Sequence, residues 1–135
     1  AGPRDDSISR FHADRVIDLG ILPHHQIGAL FRALDVGVIC NRDSAFGRYC
    51  FPLKLHEMQA CGLPVVAAAV GDVSTYLRSQ PGCLYMPGDV AGLAASLRAQ
   101  VDDPKPLVVS SPPTWDAVAR ELGSIFEAVA AVPRT

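Results

Sequence analysis

Lys54 and Glu57, a cation and a carboxylate one helical turn apart, are the residues whose types and spacing best suit ligand chemistry. Pro52 suits the first turn of a helix, where its missing N–H costs nothing, and Gly62 suits the position just past a helix end. Residues 52–61 are therefore predicted to form a helix of about ten residues. Free N–H groups at the start of such a helix can bind a phosphate, and a carboxylate further along can accept hydrogen bonds from ribose hydroxyls.

The elements that would position this pair follow an alternation of strands and helices. Residues 36–40 and 65–68 are almost wholly apolar, which is typical of strands buried on both faces of a sheet. Residues 26–34 and 90–101 instead repeat apolar side chains at helical spacing. The alternation predicts an α/β fold, with a Rossmann-like parallel sheet and helices on both faces. Further strands are predicted at 16–19 and 83–86, further helices at 73–77 and 115–129, and a proline-rich linker at 102–113.

The polar loop at residues 41–50 lies between a predicted strand and the helix that carries Lys54 and Glu57. Ligands of open parallel sheets bind beyond the carboxyl ends of the strands, where loops lead into helices. We therefore expect this loop and the start of the helix to form one site. The residues expected near one another there are Asn41, Gly47, Phe51, Leu53, Lys54 and Glu57.

Each of these residues also has a purely structural interpretation. Glu57 and Lys54 can form a solvated ion pair worth only a few tenths of a kcal/mol. Gly47 can serve a loop conformation with positive φ. Phe51 and Leu53 can be core residues, in which case their backbone N–H groups are still able to bind a phosphate.

Composition narrows the classes of function. The 135 residues suit one domain with a moderate core, and 49% hydrophobic against 19% charged residues is typical of a globular chain. The net charge of −2 gives no electrostatic footprint for nucleic acid or an anionic membrane. No apolar run approaches the roughly 20 residues that span a bilayer. We therefore expect no nucleic-acid partner, no transmembrane segment, and a cytoplasmic protein that is at most peripheral at a membrane.

The four cysteines, Cys40, Cys50, Cys61 and Cys83, include no C-x-x-C pair. Their spacing favours small buried hydrophobic residues in a reducing compartment over disulfides. A zinc site needs close Cys or His pairs, and the two adjacent histidines at 24 and 25 would diverge on a helix. We therefore expect no metal site.

Around Glu57 the sequence resembles a known family. Residues 51–67, FPLKLHEMQACGLPVVA, are similar to the donor-binding segment of the large retaining glycosyltransferase family 4, whose members have the GT-B fold of two facing Rossmann-like domains. The resemblance extends over most of the chain, from about Val16 to Phe126. Four further stretches agree with the family in order and spacing: RVIDLGILP at 15–23, IGALFRALDVGVICN at 27–41, PGD at 87–89 and TW at 114–115.

The resemblance implies a glycosyltransferase that moves a hexosyl group, with retention, from a UDP- or GDP-sugar to a hydroxyl of a glycan or lipid-linked acceptor. It implies no metal or other cofactor. It also implies that Glu57 binds ribose hydroxyls and that Lys54, with the backbone amides of residues 51–53, holds the diphosphate. The catalytic residues stay unidentified. The implied donor-binding residues are Asn41, Gly47, Tyr49, Phe51, Pro52, Leu53, Lys54 and Glu57.

Two features depart from the family pattern. The family hallmark is two glutamates separated by seven residues, and Tyr49 stands where the first acid would precede Glu57. Residues 1–4 resemble the tail of the second strand of a GT-B C-terminal domain. We therefore expect residues 1–135 to be a single partial nucleotide-sugar-binding domain, with its C-terminal helix within 113–135. We expect this chain to be inactive without an N-terminal domain of the same protein.

Three other functions stay open. A nucleotide-sugar epimerase can have the same fold, although the CGLPVVA and TW strings favour the transferase. A non-catalytic glycosyltransferase-like subunit is favoured by Tyr49 in place of the first acid. A doubly wound domain that binds another ligand is the third.

Overall fold

The computed structural model describes residues 14–107 and 114–132. Within them the chain forms a parallel three-stranded sheet in the order β1-β2-β3, where β1 is Gly37–Ile39, β2 is Val65–Ala68 and β3 is Leu84–Tyr85. The helices are α1 (His24–Arg32), α2 (Ala45–Tyr49), α3 (Lys54–Ala60), α4 (Gly71–Tyr76), α5 (Val90–Asp102) and α6 (Trp115–Ala130), with a 3-10 turn at Pro81–Cys83.

The core surrounds the central strand. All four residues of β2 are buried, so both faces of this strand are covered, as is usual in parallel sheets. Leu55 from α3, Val73 from α4 and Leu77 are also fully or almost fully buried, and all three belong to the same hydrophobic cluster. The predicted α/β fold with a parallel sheet is confirmed.

Two strand predictions differ from the structure. We expected residues 36–40 to be buried on both faces, but β1 alternates buried and exposed residues and Val38 is 39% exposed. The reason is that β1 lies at the edge of the described sheet. Residues 16–19 form no strand, and Ile17 is 85% exposed. There the Asp18 carboxylate accepts a hydrogen bond from the N–H of Gly20 (2.8 Å), a local turn that competes with strand pairing.

The helix around Glu57 lies within the predicted range 52–61 but is shorter than expected. It begins at Lys54, two residues after Pro52, and Gly62 follows its end with φ of +69°. The N–H of Leu55 donates to the carbonyl of Pro52 (2.9 Å), so the first turn is of the tighter 3-10 kind. Pro52 and Gly62 therefore bracket the helix as predicted, but α3 has seven residues and not ten.

The segment expected as a loop between β1 and α3 contains the short helix α2. Ser44 caps this helix, because its hydroxyl accepts a hydrogen bond from the N–H of Gly47 (3.1 Å). Gly47 is buried and does not have positive φ. A side chain at this position would overlap the carbonyl oxygen of Arg42, so close approach of the backbone explains the glycine.

The last two helices form where the sequence predicts them, but their apolar stripes are less buried than expected. Asp89 caps α5 by accepting from the N–H of Gly92 (2.8 Å), while Val90 and Val101 of the predicted stripe are largely exposed. No residue of α6 is buried. The predicted linker at 102–113 lies partly, and residues 1–4 wholly, outside the described residues.

Candidate functional site

The two sides of α3 have different roles. Leu55 is fully buried, and Met58 and Gln59 are also in the interior, so this side anchors the helix to the sheet. Leu53, which precedes the helix, and Glu57 are exposed. The burial of one side therefore fixes the direction in which Glu57 projects.

A cavity of about 500 Å³ lies between α3 and α6, and we call it the α3–α6 cavity. Its polar side chains are Glu57, His56 and Thr114, and the rest of its lining is apolar. A volume of this size is typical of sites for small organic ligands. Its full lining consists of Leu53, His56, Glu57 and Ala60 from the α3 segment, with Thr114, Trp115 and Val118 from the α6 segment.

The carboxylate of Glu57 is not committed to another side chain. Among the described residues, neither an ion pair nor a hydrogen bond joins it to a partner, and the same holds for the ammonium group of Lys54. The solvated pair between these two residues therefore does not form. An exposed carboxylate beside an apolar cavity is able to accept hydrogen bonds from the hydroxyls of a ligand.

An aromatic cluster supports the start of α3. The ring of Phe51 stacks on His56 with centroids 4.9 Å apart, and its edge contact with Tyr76 has a centroid distance of 5.5 Å. The hydroxyl of Tyr76 donates to the side-chain carbonyl of Gln59 (3.0 Å). The side chain of Phe51 therefore has a packing role. Pro52 has no N–H to offer, so the amides available before α3 belong to Phe51 and Leu53.

A second cavity, of about 420 Å³, lies at the carboxyl ends of β1 and β3, and we call it the strand-end cavity. This is the edge of the sheet at which ligands of α/β proteins bind. It is lined by Cys40, Asn41, Arg42 and Asp43 after β1, and by Tyr85, Pro87 and Gly88 at the end of β3.

Some of the polar groups around the strand-end cavity are hydrogen-bonded within the protein, whereas among the described residues the guanidinium of Arg42 has no partner. The guanidinium of Arg48 donates to the carboxylate of Asp43 at 2.6 and 3.2 Å, which lowers the pKa of Asp43 and raises the pKa of Arg48. The amide of Asn41 donates to the carbonyl of Cys50 (3.4 Å). Burial, with a hydrogen bond to Cys40, raises the pKa of Tyr85 to about 12.

The eight residues expected to bind the donor are distributed over several places. Leu53 and Glu57 line the α3–α6 cavity, and Asn41 lines the strand-end cavity. Lys54 is exposed at the start of α3 but outside both linings. Tyr49 is 88% exposed at the end of α2. Phe51 packs in the aromatic cluster, Pro52 is half-buried beside it, and Gly47 is buried within α2.

Sequence reasoning did not place His56 or Trp115 at a site. Trp115 belonged to a predicted apolar stripe, but it lines the α3–α6 cavity and is 74% exposed. The contact between α3 and α6 depends on tertiary packing, for which the sequence carries no local signal. A lone tryptophan at the start of an amphipathic helix was the one available indication.

Comparison with known proteins identifies the family. Residues 1–103 match the family described as Glycosyl transferases group 1. This match covers well over half of the chain, and the chain therefore belongs to that family. The parallel sheet with surrounding helices is consistent with the C-terminal half of a GT-B glycosyltransferase. No solved structure matches the chain significantly.

Three curated relatives illustrate the range of the family. A D-inositol 3-phosphate glycosyltransferase of Thermobispora bispora is 32% identical over 99% of this chain and 35% of its own length. A 2-deoxystreptamine glucosyltransferase of Streptomyces kanamyceticus is 32% identical over 82% of this chain and 27% of its own. A glycogen synthase of Mycobacterium tuberculosis is 34% identical over 64% of this chain and 20% of its own. The chain thus spans about a third or less of the length of these relatives.

Residues 14–107 and 114–132 contain neither a membrane-spanning helix nor a metal-binding cluster. No helix there has the length and apolarity needed to cross a bilayer. No group of three or more His, Cys, Asp or Glu side chains there is arranged to hold a metal ion. Cys40, Cys50, Cys61 and Cys83 are all free thiols, but Cys40 and Cys50 are exposed, so the expectation of buried cysteines is wrong for these two.

Proposed function

We propose that this chain is the donor-binding part of a retaining glycosyltransferase of family 4, which transfers a hexosyl group from a UDP- or GDP-sugar to an acceptor hydroxyl. The bond between the anomeric carbon and the diphosphate oxygen breaks, and the diphosphate leaves with the electron pair. A bond from the acceptor oxygen to that carbon forms, and the acceptor hydroxyl loses its proton. Family membership supports the transfer of a sugar, and the relatives carry three different names, so membership favours no single acceptor.

The observation that carries this proposal is the uncommitted carboxylate of Glu57 at the α3–α6 cavity. In our proposal it accepts hydrogen bonds from the ribose hydroxyls of the donor. Lys54 and the amides of Phe51 and Leu53 hold the diphosphate and stabilise its charge as it leaves, without a metal ion. Asn41, Gly47, Tyr49 and Pro52 complete the proposed donor site, as the family resemblance implies.

We further propose that residues 1–135 form a partial donor domain, and that an N-terminal domain supplies the acceptor site and much of the catalytic machinery. The acceptor in this proposal is a glycan or a lipid-linked molecule, and the protein works in the cytoplasm. A second candidate is a non-catalytic glycosyltransferase-like subunit that binds a partner or a glycan. Tyr49 favours it, because this residue replaces the first of the two family glutamates and lies exposed rather than in the α3–α6 cavity.

The test is Glu57→Ala in the protein that contains this chain. The affinity for UDP or GDP should fall by about 1.5–3 kcal/mol, the range for a hydrogen bond to a charged group. Since Glu57 would bind rather than transfer a proton, the loss should appear mainly as a raised KM for the donor. Glu127→Ala is the matched control, because Glu127 is an exposed glutamate on α6 outside the cavity. Unchanged affinity in Glu57→Ala would rule out the ribose contact, and donor binding without any transfer would favour the non-catalytic subunit.

A further inference from the structure

We propose that His56 is a second hydrogen-bond acceptor for the ligand held at Glu57, and that Gln59 is the positioning residue that makes it one. Gln59 holds the imidazole in the tautomer with its proton on Nδ1, so Nε2 offers a lone pair to a ribose hydroxyl. This inference rests on the proposed function, because it takes the ribose to be at Glu57. The contacts that fix His56 belong to α3, α4 and Phe51, and none of them involves α6.

The hydrogen bonds of the cluster define where the proton of His56 lies. The hydroxyl of Tyr76, on α4, donates its one hydrogen to the side-chain oxygen Oε1 of Gln59 (3.0 Å). The Nδ1 atom of His56 lies 3.2 Å from the same oxygen and 3.3 Å from the hydroxyl oxygen of Tyr76. A carbonyl oxygen can only accept, and the hydroxyl hydrogen is already used, so Nδ1 is the donor in both contacts. Neutral His56 therefore carries its proton on Nδ1.

The orientation of the Gln59 amide selects this tautomer. Gln59 is buried, and its amide nitrogen has no hydrogen-bond partner, which is unfavourable for folding and needs a reason. A half-turn of the amide would exchange its nitrogen and oxygen. The amide would then donate to Nδ1 of His56, and the imidazole proton would move to Nε2. Gln59 therefore decides whether the outer nitrogen of His56 accepts or donates, and that role accounts for a buried amide that packing alone does not require.

The Nε2 atom of His56 is the ring nitrogen left for a ligand. Among the described residues it has no hydrogen-bond partner, and it is not one of the buried unpaired polar atoms, so it reaches solvent. The ring itself is fixed, because it stacks on Phe51 (centroids 4.9 Å apart) and makes an edge contact with Tyr76 (5.2 Å). A ring that is already fixed loses little freedom when a ligand binds.

Two neighbouring acceptors favour a ligand that brings hydroxyl groups. Glu57 and Nε2 of His56 both belong to side chains that line the α3–α6 cavity, and this lining contains no lysine or arginine. A carboxylate and a lone pair on an imidazole can only accept hydrogen bonds. The ligand that suits them carries more than one hydroxyl, as a ribose does. His56 therefore adds to the discrimination between a ribose and a sugar that lacks its hydroxyls.

Nitrogen NMR of the imidazole rings tests the tautomer without a ligand, in the protein that contains this chain. In alkaline buffer, where the rings are neutral, long-range proton–nitrogen spectra show which ring nitrogen carries the proton. We expect His56 to carry it on Nδ1. His24 and His25 are exposed on α1 without a partner among the described residues, so they should show the mixture of an unrestrained ring. A proton on Nε2 of His56 in the wild type overturns the proposal.

Three variants test the role of Gln59. Gln59→Met should shift His56 towards the mixture of the unrestrained rings, whereas Tyr76→Phe should not, because the bond from Nδ1 to Oε1 remains. Gln100→Met is the matched control, because Gln100 is a buried glutamine outside the cluster. An unchanged tautomer in Gln59→Met overturns the positioning role. If this variant does not fold, the wild-type spectrum decides.

Ligands with and without ribose hydroxyls test the contact itself. Binding of UDP, GDP and their dideoxy analogues, which lack both ribose hydroxyls, is measured by calorimetry for the wild type, His56→Phe and His25→Phe. Phenylalanine keeps a flat ring against Phe51 but has no acceptor, and His25 is an exposed histidine outside the cavity. We expect His56→Phe to weaken UDP and GDP binding by about 2- to 12-fold, the range for one hydrogen bond. The dideoxy analogues should bind both proteins equally well, and His25→Phe should match the wild type.

The outcomes separate this inference from the proposed function. An equal loss for the dideoxy analogues in His56→Phe would mean that the ring acts through packing, and it overturns the contact. No loss for UDP and GDP overturns it as well, while Glu57→Ala still tests the ribose contact of the proposed function. Failure of the wild type to bind any nucleoside diphosphate overturns both proposals.

Discussion

The two cavities of this domain differ in how their polar groups are used. In the strand-end cavity, Asp43 is paired with Arg48, and Asn41 is bonded to the carbonyl of Cys50. In the α3–α6 cavity, Glu57 has no such partner among the described residues. Both cavities have the volume of a ligand site. Volume therefore does not distinguish them, but the sign of the unpaired charge does: it is the carboxylate of Glu57 in the α3–α6 cavity and the guanidinium of Arg42 in the strand-end cavity.

A polar group that is already hydrogen-bonded inside the protein contributes little new energy when a ligand arrives, because one bond replaces another. An uncommitted carboxylate exchanges only water for the ligand. On this physical ground Glu57 is the charged group of the α3–α6 cavity, and Arg42 the charged group of the strand-end cavity, that can form new contacts with a ligand. The strand-end cavity also borders the connection between β1 and α3, which contains α2.

The packing of α2 against the start of α4 gives the largest effect on stability that we predict. Gly71 has φ of +54°, and a Cβ on it would overlap the backbone of Arg48 in α2. Gly71→Ala should therefore lower the free energy of unfolding by about 2–5 kcal/mol, from backbone strain and overpacking together. Urea unfolding measures this loss.

Gly62→Ala is the matched control for the backbone strain alone. Gly62 also has positive φ, +69°, but nothing lies within 4 Å of a Cβ placed there. This variant should cost about 1–2 kcal/mol. Equal losses for Gly62→Ala and Gly71→Ala would mean that α2 does not pack tightly on the start of α4.

The parts of the fold that could be predicted are those set by local rules. The limits of α3 follow from Pro52 and Gly62, and the burial of β2 follows from four consecutive apolar residues. The caps at Asp89 and Thr114 likewise depend on residues within one turn. Each of these features is determined by neighbours in the sequence, which a pattern can show.

The parts that could not be predicted depend on residues far apart in the chain. Whether an apolar strand is central or at an edge depends on its partners, and Val38 is exposed because β1 has a partner on one side only in the described sheet. The need for glycine at position 47 comes from contact with Arg42, not from φ. Glu57 could be selected from its own helix. Trp115 lines the same cavity but comes from α6, so the α6 side of the cavity could not be predicted from the sequence.

Lys54→Met is the second variant, and its effect on nucleotide affinity tests which part of the ligand lies in the α3–α6 cavity. If the ribose lies at Glu57 in this cavity, the phosphates extend from it towards the start of α3, where Lys54 is exposed. Loss of the charge should weaken binding of UDP or GDP by about 0.7–1.4 kcal/mol, or roughly 3- to 10-fold, and leave uridine or guanosine almost unaffected. The difference should be larger at low salt, because the contact is exposed to solvent.

Lys105→Met is the control for the Lys54 variant. It removes the same charge from a surface pair with Asp103 (3.2 Å) outside both cavities, and nucleotide affinity should not change. A nucleoside that loses as much affinity as its diphosphate in Lys54→Met would show that Lys54 acts on the helix rather than on a phosphate. Equal losses in the two lysine variants would show a general effect of net charge.

The last effect concerns Tyr85 and tests whether its phenol interacts with the thiol of Cys40 at the strand-end cavity. Burial, together with Cys40, raises the pKa of Tyr85 to about 12 from an ordinary value of 10.0. The folded protein then holds the phenolic proton more tightly than the unfolded chain does. The contribution to stability is complete below the ordinary pKa, and the free energy of unfolding falls as the pH rises from about 10 to about 12.

The ultraviolet absorbance of the phenolate follows this titration, and Tyr85→Phe identifies the transition by removing it. Cys40→Ala should move the pKa of Tyr85 downward without returning it to the ordinary value, because burial is the larger cause and Cys40 the smaller. An unchanged pKa in Cys40→Ala would mean that the thiol and the phenol do not interact across the carboxyl ends of β1 and β3. The strand-end cavity would then contain a hydroxyl without a hydrogen-bond partner, and the two cavities would differ less in their polar groups.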